Sequence, residues 1–166
     1  MSSRFEELMR EHEKEIYRFT YRMTGNREDA ADVLQDTFFR AFRALPRLPE
    51  KANHRAWLYR IASRSAMNLA RAKKVRRALP LDQALHLAES NGDLENLVET
   101  RRLVGRLGDI VRALPVRQRI ALLQRKCQEL SYREIAATLD CSEQSARAHV
   151  YQAMTKIRRG LAASRE

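Results

Sequence analysis

The stretch that most constrains this chain is Leu130–Arg159, LSYREIAATLDCSEQSARAHVYQAMTKIRR. Ser131 and Glu134 stand at the S-x-x-E spacing of a capping box, in which each side chain satisfies the other's free backbone N–H. Ile135, Ala136 and Leu139 then share one helical face. Asp140-Cys141-Ser142 interrupts the pattern. Asp tolerates positive φ better than most residues and can make the turn that Gly usually makes, and Ser142 is a good N-cap for a second helix. In that second helix Ala146, Val150, Ala153 and Ile157 recur at i, i+4, i+7 and i+11 as a narrow buried stripe.

The opposite face of the second helix carries Gln144, Ala148, Tyr151, Thr155 and Arg159, with Arg147 beside it. Two helices, a tight turn and a polar outer face are the layout of a helix-turn-helix whose second helix enters the major groove. Gln pairs bidentately with adenine, Arg reaches guanine or phosphate, and Ala or Tyr contacts a thymine methyl. An ordinary solvated αα-hairpin has the same pattern, so the rest of the chain must decide.

Charge supplies the first discriminator. The net +11 is unevenly placed: residues 1–77 hold 18 basic against 10 acidic side chains, residues 78–108 hold 3 against 5, and residues 109–166 hold 11 against 6. Two basic modules flanking a slightly acidic connector imply two separate contacts with a polyanion. Gly numbers 5 and Pro 4, with no β-branched runs, and the fold class is all-α: two small helical domains, residues 1–77 and 97–166, joined by a flexible linker over 78–96.

Several function classes fall away. Cys127 and Cys141 lack C-x-x-C spacing and are read as small buried apolar residues in a reduced, cytoplasmic protein. With His149 they would still lack a fourth zinc ligand, so neither a metal nor a cofactor is expected. No apolar stretch is long enough to insert in a membrane. No phosphate loop, nucleophile elbow or ligand cluster is present and the histidines are scattered, which argues against an enzyme.

In the N-terminal half, Phe5, Leu8, Met9, His12, Ile16, Phe19 and Met23 trace the buried face of a first helix. Gly25 ends it, and Asn26 caps the next with Asp29 three residues on. The second helix has a broad apolar stripe, Ala30, Val33, Leu34, Thr37, Phe38, Ala41, Phe42 and Leu45. Its far side shows Asp32, Gln35, Asp36 and Arg40. That acidic pair is a solvated face or a docking patch for a basic partner, and pattern alone favours the former. Pro46 and Pro49 break the chain before a polar loop ending in Asn53-His54.

A third helix, from about Arg55 to Lys74, buries Leu58, Ile61, Ala62, Ser65 and Leu69. A second stripe holds Trp57, Arg60, Arg64, Asn68 and Arg71. One aromatic followed by arginines on one face suits nucleic acid, because arginines meet phosphates and aromatics stack on unpaired bases. A core Trp57 with solvated arginines is the alternative. The following Lys73-Lys74-Val75-Arg76-Arg77 counts against it, because such a run repels itself without an anion nearby. Beyond the linker, Leu97, Val104, Leu107, Val111 and Leu114 resume a helical pattern. Pro115 opens a further helix with Ile120, Leu123 and Cys127 facing inward.

Two stretches together carry a resemblance. TGNREDAADVLQDTFFRAFRALPRL…RAWLYRIA, at 24–62, resembles region two of the bacterial sigma factors, and LPVRQRIALLQRKCQELSYREIAATLDCSEQSARAHVYQAMTKIR, at 114–158, resembles their region four. With no third domain between them, the chain is similar to the extracytoplasmic-function (ECF) group. The resemblance implies a sigma factor for transcription initiation and promoter recognition, with core RNA polymerase and promoter DNA as partners and a cognate anti-sigma factor as a further expectation. It implies polymerase docking through Asp32, Gln35, Asp36 and Phe38, which reverses the solvated-face preference. It assigns the −10 element to Asn53, His54, Trp57, Arg60, Arg64, Asn68 and Arg71, and the −35 element to Gln144, Ser145, Arg147, Ala148, Tyr151 and Arg159. The chain departs from the family pattern at Arg64 (commonly Asn), Asn68 (commonly Asp), Ala146, His149 and Gln152, which leaves its promoter sequence open. A stand-alone helix-turn-helix regulator and a basic structural RNA-binding protein are the rival readings.

Overall fold

The structure, a computed structural model, describes residues 2–78 and 95–163. Seven α-helices run through them in chain order: α1 Ser2–Thr24, α2 Arg27–Ala44, α3 His54–Ala78, α4 Glu95–Ala113, α5 Val116–Lys126, α6 Tyr132–Leu139 and α7 Glu143–Ala162. A 3-10 turn, Leu45–Arg47, follows α2 with Pro46 at its start. The linker expected over 78–96 lies, for residues 79–94, outside the described residues.

In the N-terminal unit, α1 buries Leu8, His12, Ile16, Phe19 and Met23 along one face. Gly25, at φ 81°, turns the chain, and the Asn26 side chain accepts from the Asp29 N–H at 2.9 Å to start α2. Buried hydroxyls are satisfied locally: Thr20 donates to Tyr17 O and Ala30 O, and Thr37 donates to Val33 O. Phe19 meets Tyr59 of α3 edge-on at 5.2 Å between centroids, so α1, α2 and α3 close around an aromatic centre.

In the C-terminal unit, α5, α6 and α7 enclose a second set of apolar residues, and α4 lies across α7. The crossing is tight at Gly160, where an added Cβ would stand 2.8 Å from Ile110 Cδ1. A side chain there would require the Ile110 side chain to move aside.

The two units share one core. Ile120, Ala121 and Leu123 of α5, with Leu130, Ile135, Leu139 and Ala146, belong to the same buried cluster as Ile16, Phe19, Leu58 and Ala62. Three polar ties run beside it: Gln124 Nε2 donates to Ser63 Oγ at 2.8 Å, Arg55 donates to Gln128 O at 3.0 Å, and Arg119 donates to Met23 O.

Three sequence expectations are corrected. Cys127 is exposed, not buried: it is the C-cap of α5, and the chain turns away before its side chain can reach the core. Val104 and Leu107 point outward, at 62% and 37% exposure, because Ile110, Val111 and Leu114 make the contact with α7. Phe42 is 46% exposed and only leans on Phe5, with centroids 5.0 Å apart.

Candidate nucleic-acid interface and docking face

The helix-turn-helix is built as its residues dictate. Ser131 and Glu134 form a reciprocal capping box, with the Ser131 N–H donating to Glu134 at 2.7 Å and the Glu134 N–H donating to Ser131 Oγ at 3.2 Å. Asp140 adopts the left-handed conformation at φ 54°, and Ser142 caps α7 by accepting from the Ser145 N–H at 3.1 Å. These local bonds fix the angle at which α7 leaves the turn. Ala146, Val150, Ala153 and Ile157 are buried beneath it.

Gln144, Ser145, Arg147, Ala148, Tyr151 and Arg159 are all exposed on the outer face of α7, Tyr151 at 70%. Ser145 Oγ lies 2.9 Å from Ser142 Oγ, so that hydroxyl is shared with the cap. The Arg147 guanidinium rests over the Tyr132 ring, 4.3 Å from its centroid. Arg159, twelve positions after Arg147, stands about 18 Å further along the helix axis at 1.5 Å per residue. His149, half-buried between the faces, has its pKa lowered by burial and by the charge of Arg117, so it stays neutral near pH 7.

On α3, Arg60, Arg64, Asn68 and Arg71 are exposed in one stripe, and none has a carboxylate partner among the described residues. Three guanidiniums without counter-charges on one face leave a positive potential to be met from outside. Trp57, next in the stripe, is only half-buried and packs on the core. Asn53 N-caps α3 by accepting from the Ala56 N–H at 3.0 Å and also donates to Glu134 at 3.4 Å. His54 Nε2 stands 3.4 Å from an Arg4 nitrogen. Beneath the start of α3, Glu15 accepts from Arg55 at 2.9 Å and from Tyr59 at 3.0 Å. Burial would raise the Glu15 pKa, but bonds from His12, Arg55 and Tyr59 outweigh it and hold the carboxyl below its usual value. Tyr59 is pushed upward by burial and by the Glu15 charge.

On α2, Asp32 and Gln35 are exposed. Asp36 is partly engaged, accepting from Arg40 at 2.8 Å and from Ser65 of α3 at 2.5 Å. Phe38, on the apolar stripe as its spacing predicts, is core at 7% exposure, edge-on to Phe5, and floors a shallow groove rimmed by Met9, Asp32 and Gln35. The exposed aromatic is its neighbour Phe39, at 60%, with Arg43 over its ring. Sequence reading passed over Phe39. The available signal was spacing, because Asp32, Asp36 and Phe39 stand at i, i+4 and i+7 on one face. It also passed over Tyr132, which is half-buried and lies under two guanidiniums, Arg125 at 4.7 Å and Arg147 at 4.3 Å. Among the described residues, no helix is long and apolar enough to cross a membrane and no group of acidic, His or Cys side chains is placed to hold a metal.

Comparison with known proteins agrees with this geometry. Residues 8–76 match Sigma-70 region 2, and residues 105–157 match Sigma-70, region 4. SigE of Mycolicibacterium smegmatis, an ECF RNA polymerase sigma factor, is 32% identical over 160 residues, covering 95% of this chain and 62% of SigE. The chain therefore spans less than two thirds of that relative. The ECF RNA polymerase sigma-E factor of Salmonella typhimurium is 34% identical over 140 residues, covering 78% of this chain and 72% of the relative. In fold, the chain is similar to the sigma factor RpoE from Bartonella quintana, solved in complex with the anti-sigma factor NepR: TM-score 0.73, 17% identity, 95% of this chain and 96% of that one. The protein belongs to the sigma-70 family, in its ECF group.

Proposed function

We propose that the protein is a promoter-specificity subunit of RNA polymerase. It binds core enzyme, directs initiation at promoters carrying −10 and −35 elements, and works in the cytoplasm without catalytic chemistry of its own. The observation that carries this reading is the pairing, in one chain, of two basic helical faces on two different regions of the same family: Arg60, Arg64 and Arg71 on α3, and Gln144, Arg147 and Tyr151 on α7. A repressor needs one reading head and a dimer surface, whereas this chain offers two reading heads and a separate acidic face on α2.

In this reading residues 1–77 form the −10 and docking domain, 78–96 the linker and 97–166 the −35 domain. Asp32, Gln35 and Phe39 present the polymerase-docking face, with Phe38 and Asp36 holding it from beneath. Asn53, His54, Trp57, Asn68 and the α3 arginines engage the −10 strand. Capturing unstacked bases offsets the few kcal/mol that each flipped base costs. A cognate anti-sigma factor is a further proposed partner, in keeping with the complex in which the RpoE relative was solved.

Purified protein mixed with core polymerase and a promoter pool should give transcripts from a subset sharing two spaced elements, and Asp32→Lys should abolish them without loss of helicity. Sequence-specific DNA binding that is indifferent to core polymerase, with no transcription, would instead identify a stand-alone regulator.

A further inference from the structure

We infer that Tyr132 is a specificity-determining positioning residue: its ring holds Arg147 at the angle from which Arg147 reads the −35 element. This rests on the reading of α7 given above. An exposed arginine ordinarily samples many rotamers, and ordering it on contact with DNA costs binding free energy. Arg147 has no carboxylate or carbonyl partner among the described residues. Among the described residues its guanidinium rests instead on the Tyr132 ring, 4.3 Å from the guanidinium carbon to the centroid.

That ring is itself fixed. Tyr132 is the first residue of α6, immediately after the Ser131 cap, and packs against the central buried cluster. Arg125 lies over the same ring at 4.7 Å and is tied down by donating to Leu130 O at 3.1 Å. The stack is therefore anchored in α5 and α6 and free only at Arg147. A cation resting on a π face keeps its in-plane N–H edge available, the edge that pairs with guanine O6 and N7 or bridges two phosphate oxygens. Arg125 adds a second positive charge beside it, so Arg147 gains by meeting an acceptor outside the protein. The first helix of the motif thereby contributes to specificity through a residue that touches no base.

The test measures −35 discrimination by the full chain with core polymerase on a promoter library randomised at that element. Wild type is compared with Tyr132→Phe, Tyr132→Leu, Arg147→Ala and the Tyr132→Leu/Arg147→Ala double variant. Leu keeps the apolar contact with the core and removes the π face, and circular dichroism verifies the fold of each variant. Tyr132→Leu should lose about two- to fivefold of the discrimination supplied by Arg147, the range for an exposed cation–π contact. Tyr132→Phe should retain it, and the double variant should match Arg147→Ala alone. If Arg147→Ala alters discrimination but Tyr132→Leu does not, or if the two losses add, the positioning role is overturned while α7 remains the reader. If Arg147→Ala changes nothing, both the stack and the orientation of α7 fall.

Discussion

The two basic faces differ in how they hold their arginines. Those of α3 stand in a row without counter-charges among the described residues, whereas Arg147 of α7 rests on a ring and Ser145 is tied to its cap. Free arginines act mainly through charge and adapt to a flexible backbone, which suits a strand that must be melted. Side chains aimed in advance favour one arrangement of acceptors, which suits intact duplex read in the major groove. Under the proposed function one protein would combine an electrostatic grip with a pre-aimed reader, and the contrast can be tested.

Replacing Arg60, Arg64 and Arg71 together with Ala should have the largest effect. If each meets a phosphate, the salt slope falls by about 0.7–0.9 per contact, which corresponds to affinity on the order of a hundredfold weaker at 0.15 M salt. Preference at the −35 element should not move, and a titration across salt concentrations on promoter DNA with holoenzyme checks both. An unchanged slope would break the comparison. Gln144→Ala comes next: −35 discrimination should drop by about 1–3 kcal/mol, with the salt slope intact. Equal binding to every −35 variant would show that α7 is turned differently in the groove.

Arg64→Asn, which removes one charge from the stripe, has a smaller expected effect. The salt slope should fall by about one contact, and preference at the upstream edge of the −10 element should shift in a randomised library. Unaltered slope and preference would reduce the grip to Arg60 and Arg71. The smallest effect concerns what lies beneath α3. Glu15 has a folded pKa below its unfolded value, so its contribution to stability is complete above the unfolded pKa, about 4.3. That contribution is lost as pH falls through the folded pKa. Glu15→Gln should lower stability at neutral pH and flatten the acid limb of a thermal-unfolding series, and an unchanged acid limb would remove Glu15 from the support of α3.

Much of this was legible in the sequence because it is local. The Ser131–Glu134 box, the left-handed Asp140, the Ser142 and Asn26 caps and the Gly25 turn each depend on side chains within four residues of one another. The outward stripes of α3 and α7 followed from helical periodicity. Periodicity also set Phe38 on the apolar stripe of α2, but it gave no reason to single out Phe39, about 100° further round the helix. That Phe5 of α1 packs on Phe38 while Phe39 stays 60% exposed emerges only from the packing. The same holds for Val104, turned outward by the angle at which α4 crosses α7, and for Tyr132, whose arginines come from two other helices. Site features assembled from three elements leave no periodic trace in any one of them.

The polar ties beside the shared core have a consequence for the order of folding. Gln124 and Ser63 are 61 positions apart in the chain, and Arg119 and Met23 are 96 apart. The caps that shape each helix span only three or four. Contacts so distant in sequence form after local ones, because chain entropy must be lost before they return anything. The equilibrium cost rises slowly, however: closing a 96-residue span instead of a 24-residue one adds two doublings, about 1.2 kcal/mol. Each helical unit should thus assemble early and the seam last, with Ser63→Ala and Gln124→Ala mainly accelerating unfolding. The two halves, which under the proposed function meet different parts of a promoter, would share a late step in which α5 settles against α1 and α3.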